Sequence, residues 1–529
     1  MDVSSQRDAA RPTRSGQSGD PAAMEIELKL LVAPEHANGV WRALSKHPHP
    51  RPATRNLFSA YYDTPERRLA GKGVALRLRR QGRRWIQTIK GGGSAAGGLH
   101  QRLEHEIEVP AQLPYLPAMV AAGFGDVVAK PGVRDTIGVA FVTDFRRTST
   151  IVSPAPESRV EVSLDRGEIV AEGRHLPICE IELELKSGPV QCLFDLALEI
   201  ASVLPVRLEN RSKAQRAHEL ALEAQATPTK ASAINLDGEM PVTRAFVTLA
   251  FGCITQLQAN EIGLLAGRDP EYLHQARVAL RRLRSVFRLF RQSVALPAAE
   301  PMLTEAVLTE IKTLGRLLGE ARDWDVFVGE MLAAAAPSAP LPAGLAAVKR
   351  RALAARRQAR QAATGAVAAP GYTATMIRLA AALHALARDS DAGPADGSLQ
   401  QFASDLLALQ HGRVLKRGRR LEQLAYPDLH RLRIEVKRLR YAAEFFASVL
   451  PGRAKEALRR LARLQDLLGK INDDVNAWAL LDRLEAGNAD AHYQQAVGYL
   501  RGHAACDARH CLAQLPKAWA RFEQLRRWW

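Results

Sequence analysis

Glu25-Ile26-Glu27-Leu28-Lys29 alternates charge with apolar bulk at every step. On an extended strand, residues two apart share a face, so Glu25, Glu27 and Lys29 project one way while Ile26, Leu28 and Leu30 project the other. The pattern recurs downstream. Leu76 and Leu78 oppose Arg77 and Arg79, Glu104, Glu106 and Glu108 share a face, and Glu180, Glu182, Glu184 and Lys186 share another. Segments such as MEIELKLLV, VALRLRR, RWIQTIKG, RLEHEIEV and EIELELK, separated by Gly, Pro and Asp turns, predict a mostly antiparallel sheet from residue 24 to about 187. For one such strand the ordinary reading is a solvated face. Several strands that each concentrate charge, with both signs represented, predict an antiparallel β-barrel whose ionised faces turn inward. Carboxylates so placed supply oxygen ligands for Mg²⁺ or Mn²⁺, and Arg and Lys bind phosphoryl oxygens. Neither set is tolerable buried alone, so the lining implies a metal and a polyanion as counter-charges.

The chain has 529 residues, 47% of them hydrophobic, enough for at least two domains with separate cores. Residues 1–23, rich in Ser, Gly and Pro without a periodic apolar face, are expected to be disordered, with Met24 a candidate start. A helical segment at Val190 to Val203, and then the stretch Arg211 to Ala224, are expected to close a domain spanning 24–224, and 225–241 reads as a linker. The five cysteines, Cys179, Cys192, Cys253, Cys506 and Cys511, form no CxxC pair, which suits a reducing compartment and argues against a zinc site. No secretory pattern and no apolar run near the ~18 residues of a membrane span is present, so the cytoplasm is the expected location, with no membrane partner.

From Val242 to residue 529 the alternation gives way to Ala, Leu and Arg-rich stretches with helical periodicity, broken at Pro337-Ser338-Ala339-Pro340, Pro370-Gly371 and Asp389 to Gly397. The expected class is therefore α+β: a barrel followed by an all-α helical bundle. Of the formal charge of +17, residues 24–225 carry 27 Lys+Arg against 24 Asp+Glu, while 226–529 carry 43 against 29. That basic excess attracts polyanions without choosing among them. The helical half also repeats itself. His274-Gln-Ala-Arg277-Val-Ala-Leu-Arg281-Arg282-Leu283-Arg284 returns as His430-Arg-Leu-Arg433-Ile-Glu-Val-Lys437-Arg438-Leu439-Arg440, and Leu317-Leu318-Gly319 with Asp323 returns as Leu467-Leu468-Gly469 with Asp473. His274, Arg277, Arg281 and Arg284 share one helix face, and His430, Arg433, Lys437 and Arg440 repeat it. A single stripe reads as a solvated surface, whereas its repetition points to a site. Leu280, Leu283, Ile434 and Leu439 are expected to anchor the opposite sides in the bundle. Asp323 and Asp473 read as caps or arginine partners. Glu444 stands where the first repeat has Arg288, so the stripes are not equivalent.

In the first half, the quoted residues resemble the CYTH domain of the triphosphate tunnel metalloenzymes. Glu25-Ile26-Glu27-Leu28-Lys29 matches its ExExK signature. It is followed in order by Tyr61-Tyr62-Asp63-Thr64-Pro65, Leu76-Arg77-Leu78-Arg79, Thr88-Ile89-Lys90, Arg102 with Glu104 and Glu106, Arg146-Arg147, Asp165 in Leu164-Asp165-Arg166-Gly167, Glu180-Ile181-Glu182-Leu183-Glu184, and Ser212-Lys213. The resemblance implies metal-dependent hydrolysis of a triphosphate, with Glu27, Lys29 and Lys90 in the chemistry. Glu25, Glu27, Asp165, Glu180 and Glu182 would hold metal or orient water, and Glu184 could replace either of the last two. Lys29, Arg55, Arg77, Arg79, Lys90, Arg147, Lys186 and Lys213 would bind phosphates, although Arg55 sits in a loop-like stretch and Arg146 competes with Arg147. The repeated His-x-x-Arg stripe resembles the CHAD domain, which implies polyphosphate binding by the helical half. Inorganic triphosphate or short polyphosphate is then the expected substrate. Nucleotide or thiamine triphosphate chemistry is the alternative, with Trp85, Tyr61 and Tyr62 as nearby rings, and a non-catalytic polyphosphate binder is the third reading. Nucleic acid is disfavoured, since no nucleic-acid motif and few aromatics accompany the basic stripes.

Overall fold

The computed structural model describes residues 23–529 apart from residues 131, 223–226, 268, 292, 295–304, 336–342, 393–397, 451–453, 488–489 and 526. The expected disorder of 1–22, the break at Pro337-Ser338-Ala339-Pro340 and part of the break before Gly397 lie outside the described residues.

Nine strands form the first half: β1 Ala23–Val32, β2 Ala53–Asp63, β3 Ala75–Gln81, β4 Arg84–Ala96, β5 Leu99–Val109, β6 Gly138–Val152, β7 Arg159–Ala171, β8 Arg174–Ser187 and β9 Val206–Leu208. They are hydrogen-bonded in the order β5-β4-β3-β2-β6-β7-β8-β1, and β1 also pairs with β5, so eight antiparallel strands close into a barrel with β9 added beside β1. Alternation then sorts the side chains by polarity. Leu28 and Leu30 point outward, fully buried against helix α1 (Gln191–Val203), which lies on the barrel together with Phe194 and Ile200. The charged positions point inward. Arg55, expected in a loop, belongs to β2 directly opposite Arg147 on β6. The stretch from Arg211 holds helix α2 (Lys213–Ala221), whose N-cap is Ser212, accepting from Gln215 N while the Gln215 side chain accepts from Ser212 N.

The second half is helical: α3 Val242–Ala266, α4 Pro270–Leu289, α5 Glu305–Val326, α6 Leu345–Ala368, α7 Pro370–Ala392, α8 Leu399–Gly418, α9 Tyr426–Phe445, α10 Ala454–Glu485 and α11 Ala491–Glu523. Pro370 opens α7, which is why the helical pattern breaks there. The sequence repeat is a repeated helix pair: α4 with α5, and α9 with α10. Leu280, Leu283 and Leu439 are buried in the common core, and Ile434 is half-buried. Among the described residues, no single helix is long and apolar enough to cross a membrane. Apolar contacts join the two halves: Ile377, Ala380 and Ala381 of α7 pack into the cluster formed by α1 and the outer face of β1, and Leu208 of β9 packs against the helical core.

Candidate functional site

A cavity of about 270 Å³ opens inside the barrel, and its lining divides by sign. The carboxylates are Glu161 on β7, Glu182 and Glu184 on β8, Glu25 and Glu27 on β1, and Glu104 and Glu106 on β5, four strands that follow one another around the ring. The opposite arc, β4-β3-β2-β6, contributes Lys90, Arg77, Arg79, Arg55 and Arg147 and, among the described residues, no carboxylate. Lys29, Arg102, Lys186 and Lys213 add positive charge from the acidic side.

Ion pairs span the two arcs. Lys90 donates to both oxygens of Glu25 at 2.7 and 2.6 Å and lies 3.1 Å from Glu104. Arg147 makes a forked contact with Asp165, both bonds 2.7 Å, and also reaches Glu182. Lys29 pairs with Glu27 at 2.8 Å and with Glu182 across the β1–β8 ladder. Arg77 donates to Thr88 at 2.9 Å and lies 3.4 Å from Glu106. Lys213 enters from α2: its ammonium bonds Asp165 at 2.7 Å, Glu182 at 3.0 Å and Glu180. Arg216, one turn further on, bonds Glu180. The capping box at Ser212 thus fixes the turn that aims both cations into the barrel.

Burial disfavours each of these charges, and partners decide which way each group moves. Against the cost of burial, Lys213, Lys29 and Arg147 hold the Glu182 carboxyl well below the usual range. Burial likewise opposes the charge on Lys29, yet Glu182 and Glu27 raise its pKa. Arg79 behaves differently: it bonds Ser59 at 3.1 Å, and no carboxylate lies within ion-pair reach among the described residues. Burial, reinforced by Arg77 and Arg147, pushes its pKa down to about 9. Arg79 is therefore a cation of the basic arc still awaiting an anion.

Carboxylate oxygens of Asp165, Glu180 and Glu182 all lie within 4.8 Å of one another, and an oxygen-only donor set suits Mg²⁺ or Mn²⁺. That trio is already paired with Lys213, Arg147, Arg216 and Lys29, and Asp165 and Glu180 are not part of the lumen lining. Glu25, Glu27, Glu182 and Glu184 do face the lumen, and their carboxylate oxygens are donors of the kind that fits a hard cation. Arg55 and Lys186 sit nearer solvent, with side chains 61% and 38% exposed. Arg146 is exposed, leaving Arg147 as the inward residue of that pair. Tyr61 reaches the lumen with its ring stacked on Phe141, whereas Tyr62 bonds the Gln112 carbonyl and neither it nor Trp85 lines the cavity.

The basic stripes of the helical half face each other. Lys437 feels Arg281, Arg433, Arg277 and Arg284, and burial plus these four guanidinium groups pushes it down to about 7. Arg281, Arg284, Arg433 and Lys437 have no carboxylate within ion-pair reach among the described residues, while Arg277 lies 3.6 Å from Asp323. Asp323 is thus an arginine partner, as the sequence indicated. Burial and Arg322 lower His274 to about 4, so it is neutral at pH 7. The side chain of His430 bonds Asn472 at 2.6 Å, and Arg440 is occupied by Gln465 at 2.7 Å and by Glu444. Arg440 therefore stands apart from the convergent group.

Sequence reasoning left Glu161 and Arg216 out of the site, named Tyr61 only as a nearby ring, and quoted Arg102, Glu104 and Glu106 without assigning them a role. Two of these had a usable signal: Glu161 shares the β7 face of Asp165, and Arg216 shares the α2 face of Lys213.

Comparison with known proteins follows the same division. Over 194 residues, 37% of this chain, the first half is 33% identical to the inorganic triphosphatase of Haemophilus influenzae, and this match spans about half of that relative, 54% of its length. Among solved structures, the CHAD domain from the plant Ricinus communis is 33% identical, covering 57% of this chain and 98% of that chain, with a TM-score of 0.49. A Hippeastrum protein described as an adenylyl cyclase with a dominant triphosphatase activity is 22% identical, covering 36% of this chain and 93% of that chain, with a TM-score of 0.26. Residues 23–218 match the CYTH domain family and residues 248–482 match the CHAD domain family, so this chain is a CYTH domain followed by a CHAD domain.

Proposed function

We propose that the chain is a hydrolase of inorganic triphosphate or short polyphosphate, working in the barrel lumen with a divalent cation, Mg²⁺ or Mn²⁺, while the helical half binds polyphosphate. In this reading residues 24–224 are the tunnel domain, 225–241 the linker and 242–529 the helical domain, in a cytoplasmic protein whose five cysteines are free. The observation that carries it is the division of the lumen into a carboxylate arc and a cationic arc. A linear polyanion fits between them, its oxygens along Arg77, Arg79, Lys90 and Arg147, with Lys29 and Lys213 at its side and Arg55 and Lys186 near solvent.

Glu25, Glu27, Glu182 and Glu184 would hold the metal, with Asp165 and Glu180 supporting them from outside the lumen lining. When bound, the cation neutralises phosphoryl charge and lowers the pKa of water. The chain's own groups do the rest. Glu27 orients a water against the terminal phosphorus and accepts its proton. The new P–O bond forms as the bridging P–O bond breaks, releasing orthophosphate and pyrophosphate. Lys29 and Lys90 donate hydrogen bonds to oxygens whose charge grows as the bridge breaks. Arg79, unpaired and desolvated, gains most from an arriving phosphate.

Phosphate release from triphosphate, long polyphosphate, ATP and thiamine triphosphate, each with Mg²⁺ or Mn²⁺, tests the proposal. Preference for triphosphate is expected. Equal or better turnover of ATP or thiamine triphosphate would favour the nucleotide or thiamine reading, and no turnover of any of them would leave a polyphosphate binder.

A further inference from the structure

Lys29 stands where β1 changes neighbours. On the edge away from β8, the ladder to β5 ends at Leu28 opposite Leu99, and the ladder to β9 begins at Leu30 opposite Leu208. The main chain of Lys29 falls in the gap. Its N–H donates to the Gly98 carbonyl at 3.0 Å, and its carbonyl accepts from Glu209 N–H at 3.0 Å.

Asn210 ties those two holders together. It follows Glu209 directly, and its Oδ1 accepts from Gly98 N–H at 2.7 Å. Its Nδ2 donates at 2.6 Å to Oε1 of Gln258, a buried residue of α3 in the helical half. A second helix presses on the same turn. Gly97 and Gly98 have φ of +61° and +81°, the left-handed geometry of a tight two-residue hairpin, and a Cβ on Gly97 would collide with Ala380 of α7.

We propose that Asn210, anchored by Gln258, is a positioning residue for Lys29, so that the helical domain fixes where the Lys29 ammonium meets substrate. The proposal rests on the tunnel reading above for the role of Lys29. Without the anchor, the Gly97-Gly98 turn and the Glu209 segment move independently, and the strand carrying Lys29 loses its fixed place between Glu27 and Glu182. Misplacement by about 1 Å of a group that acts on the transition state costs up to ~100-fold in rate.

The test uses the full chain. Gln258→Met keeps the side-chain length and removes the acceptor, while Gln258→Glu keeps an acceptor. Gln258→Met is expected to lower kcat on tripolyphosphate about tenfold with KM within about twofold, and Gln258→Glu to recover most of the loss. Amide hydrogen exchange at Gly98 and Lys29 should quicken in Gln258→Met alone. An active wild type with unchanged kcat and exchange in Gln258→Met overturns the proposal and leaves the tunnel reading standing. A wild type that hydrolyses no triphosphate removes the tunnel reading, and exchange at Lys29 then decides the positioning alone, unchanged exchange overturning it. Should Gln258→Met fail to fold, Gln258→Ala gives the same readout, because it too removes the acceptor for Asn210 and leaves the Asn210 bond to Gly98 in place.

Discussion

The barrel lumen and the facing basic stripes of α4 and α9 both gather cations, yet they hold them in opposite electrostatic states. In the lumen most Lys and Arg groups already have carboxylate partners, as with Lys90 and Glu25 or Arg147 and Asp165. Between the stripes Arg281, Arg433 and Lys437 face one another, and Lys437 is driven down to about 7. A charge-balanced site binds a polyanion by exchanging partners, so geometry governs what it accepts. An unbalanced one binds by relieving its own repulsion, so charge density and ionic strength govern it.

That contrast is most exposed to Glu27→Gln. Removing the proposed water-orienting carboxylate should lower triphosphate turnover by ~100- to 1,000-fold while polyphosphate binding to the full chain stays unchanged, as single-turnover phosphate release and a binding titration would measure. Next in size, Arg281→Glu with Lys437→Glu should weaken polyphosphate affinity by about 10- to 100-fold at moderate salt, with triphosphate turnover kept. Added salt should weaken polyphosphate binding more than it raises KM for triphosphate. If both fall in parallel, the two sites do not differ as described.

A smaller effect comes from pH. Lys437 is protonated below about pH 7 and neutral above it, so polyphosphate affinity should drop about three- to tenfold between pH 6 and pH 8.5, and Lys437→Arg should flatten that profile in calorimetric titrations. The sign for stability is the reverse. Between about 7 and the ordinary 10.5 the unfolded chain binds more protons at this residue, so without ligand its contribution favours the folded state as pH rises through that window, readable as a thermal midpoint against pH. Smallest of all, Arg55→Ala should change KM for triphosphate by no more than about twofold, because the side chain is 61% exposed and its pairing with Glu161 is 3.8 Å long.

Much of the barrel was legible because alternation is a local signal: Glu25 to Lys29 and Glu180 to Lys186 announce their strand and their two faces without help from the rest of the chain. Arg55 was not, since Ala53 to Asn56 lacks that alternation and is held extended by its partner β6. The split of the lumen into acidic and basic arcs was likewise invisible, because it depends on which strands are neighbours around the ring. The metal set was legible only as residue types. That Lys213 stands among Asp165, Glu180 and Glu182 follows from where α2 docks. In the helical half, spacing gave the stripes, but only the packing of α4 and α9 set them face to face; the pairing of Arg440 with Glu444 is one turn of α9 and lies in the spacing itself.

The repeated helix pairs carry one more consequence. Arg277 senses Arg433, and Asp323 senses Asp473, so each of these residues has its own counterpart as a neighbour. Two stripes alike at Arg277 and Arg433, though unlike at Arg288 and Glu444, offer nearly the same contacts from either end. In the polyphosphate reading proposed above, a linear polyphosphate, itself without direction, would find the same anchor whichever end entered first.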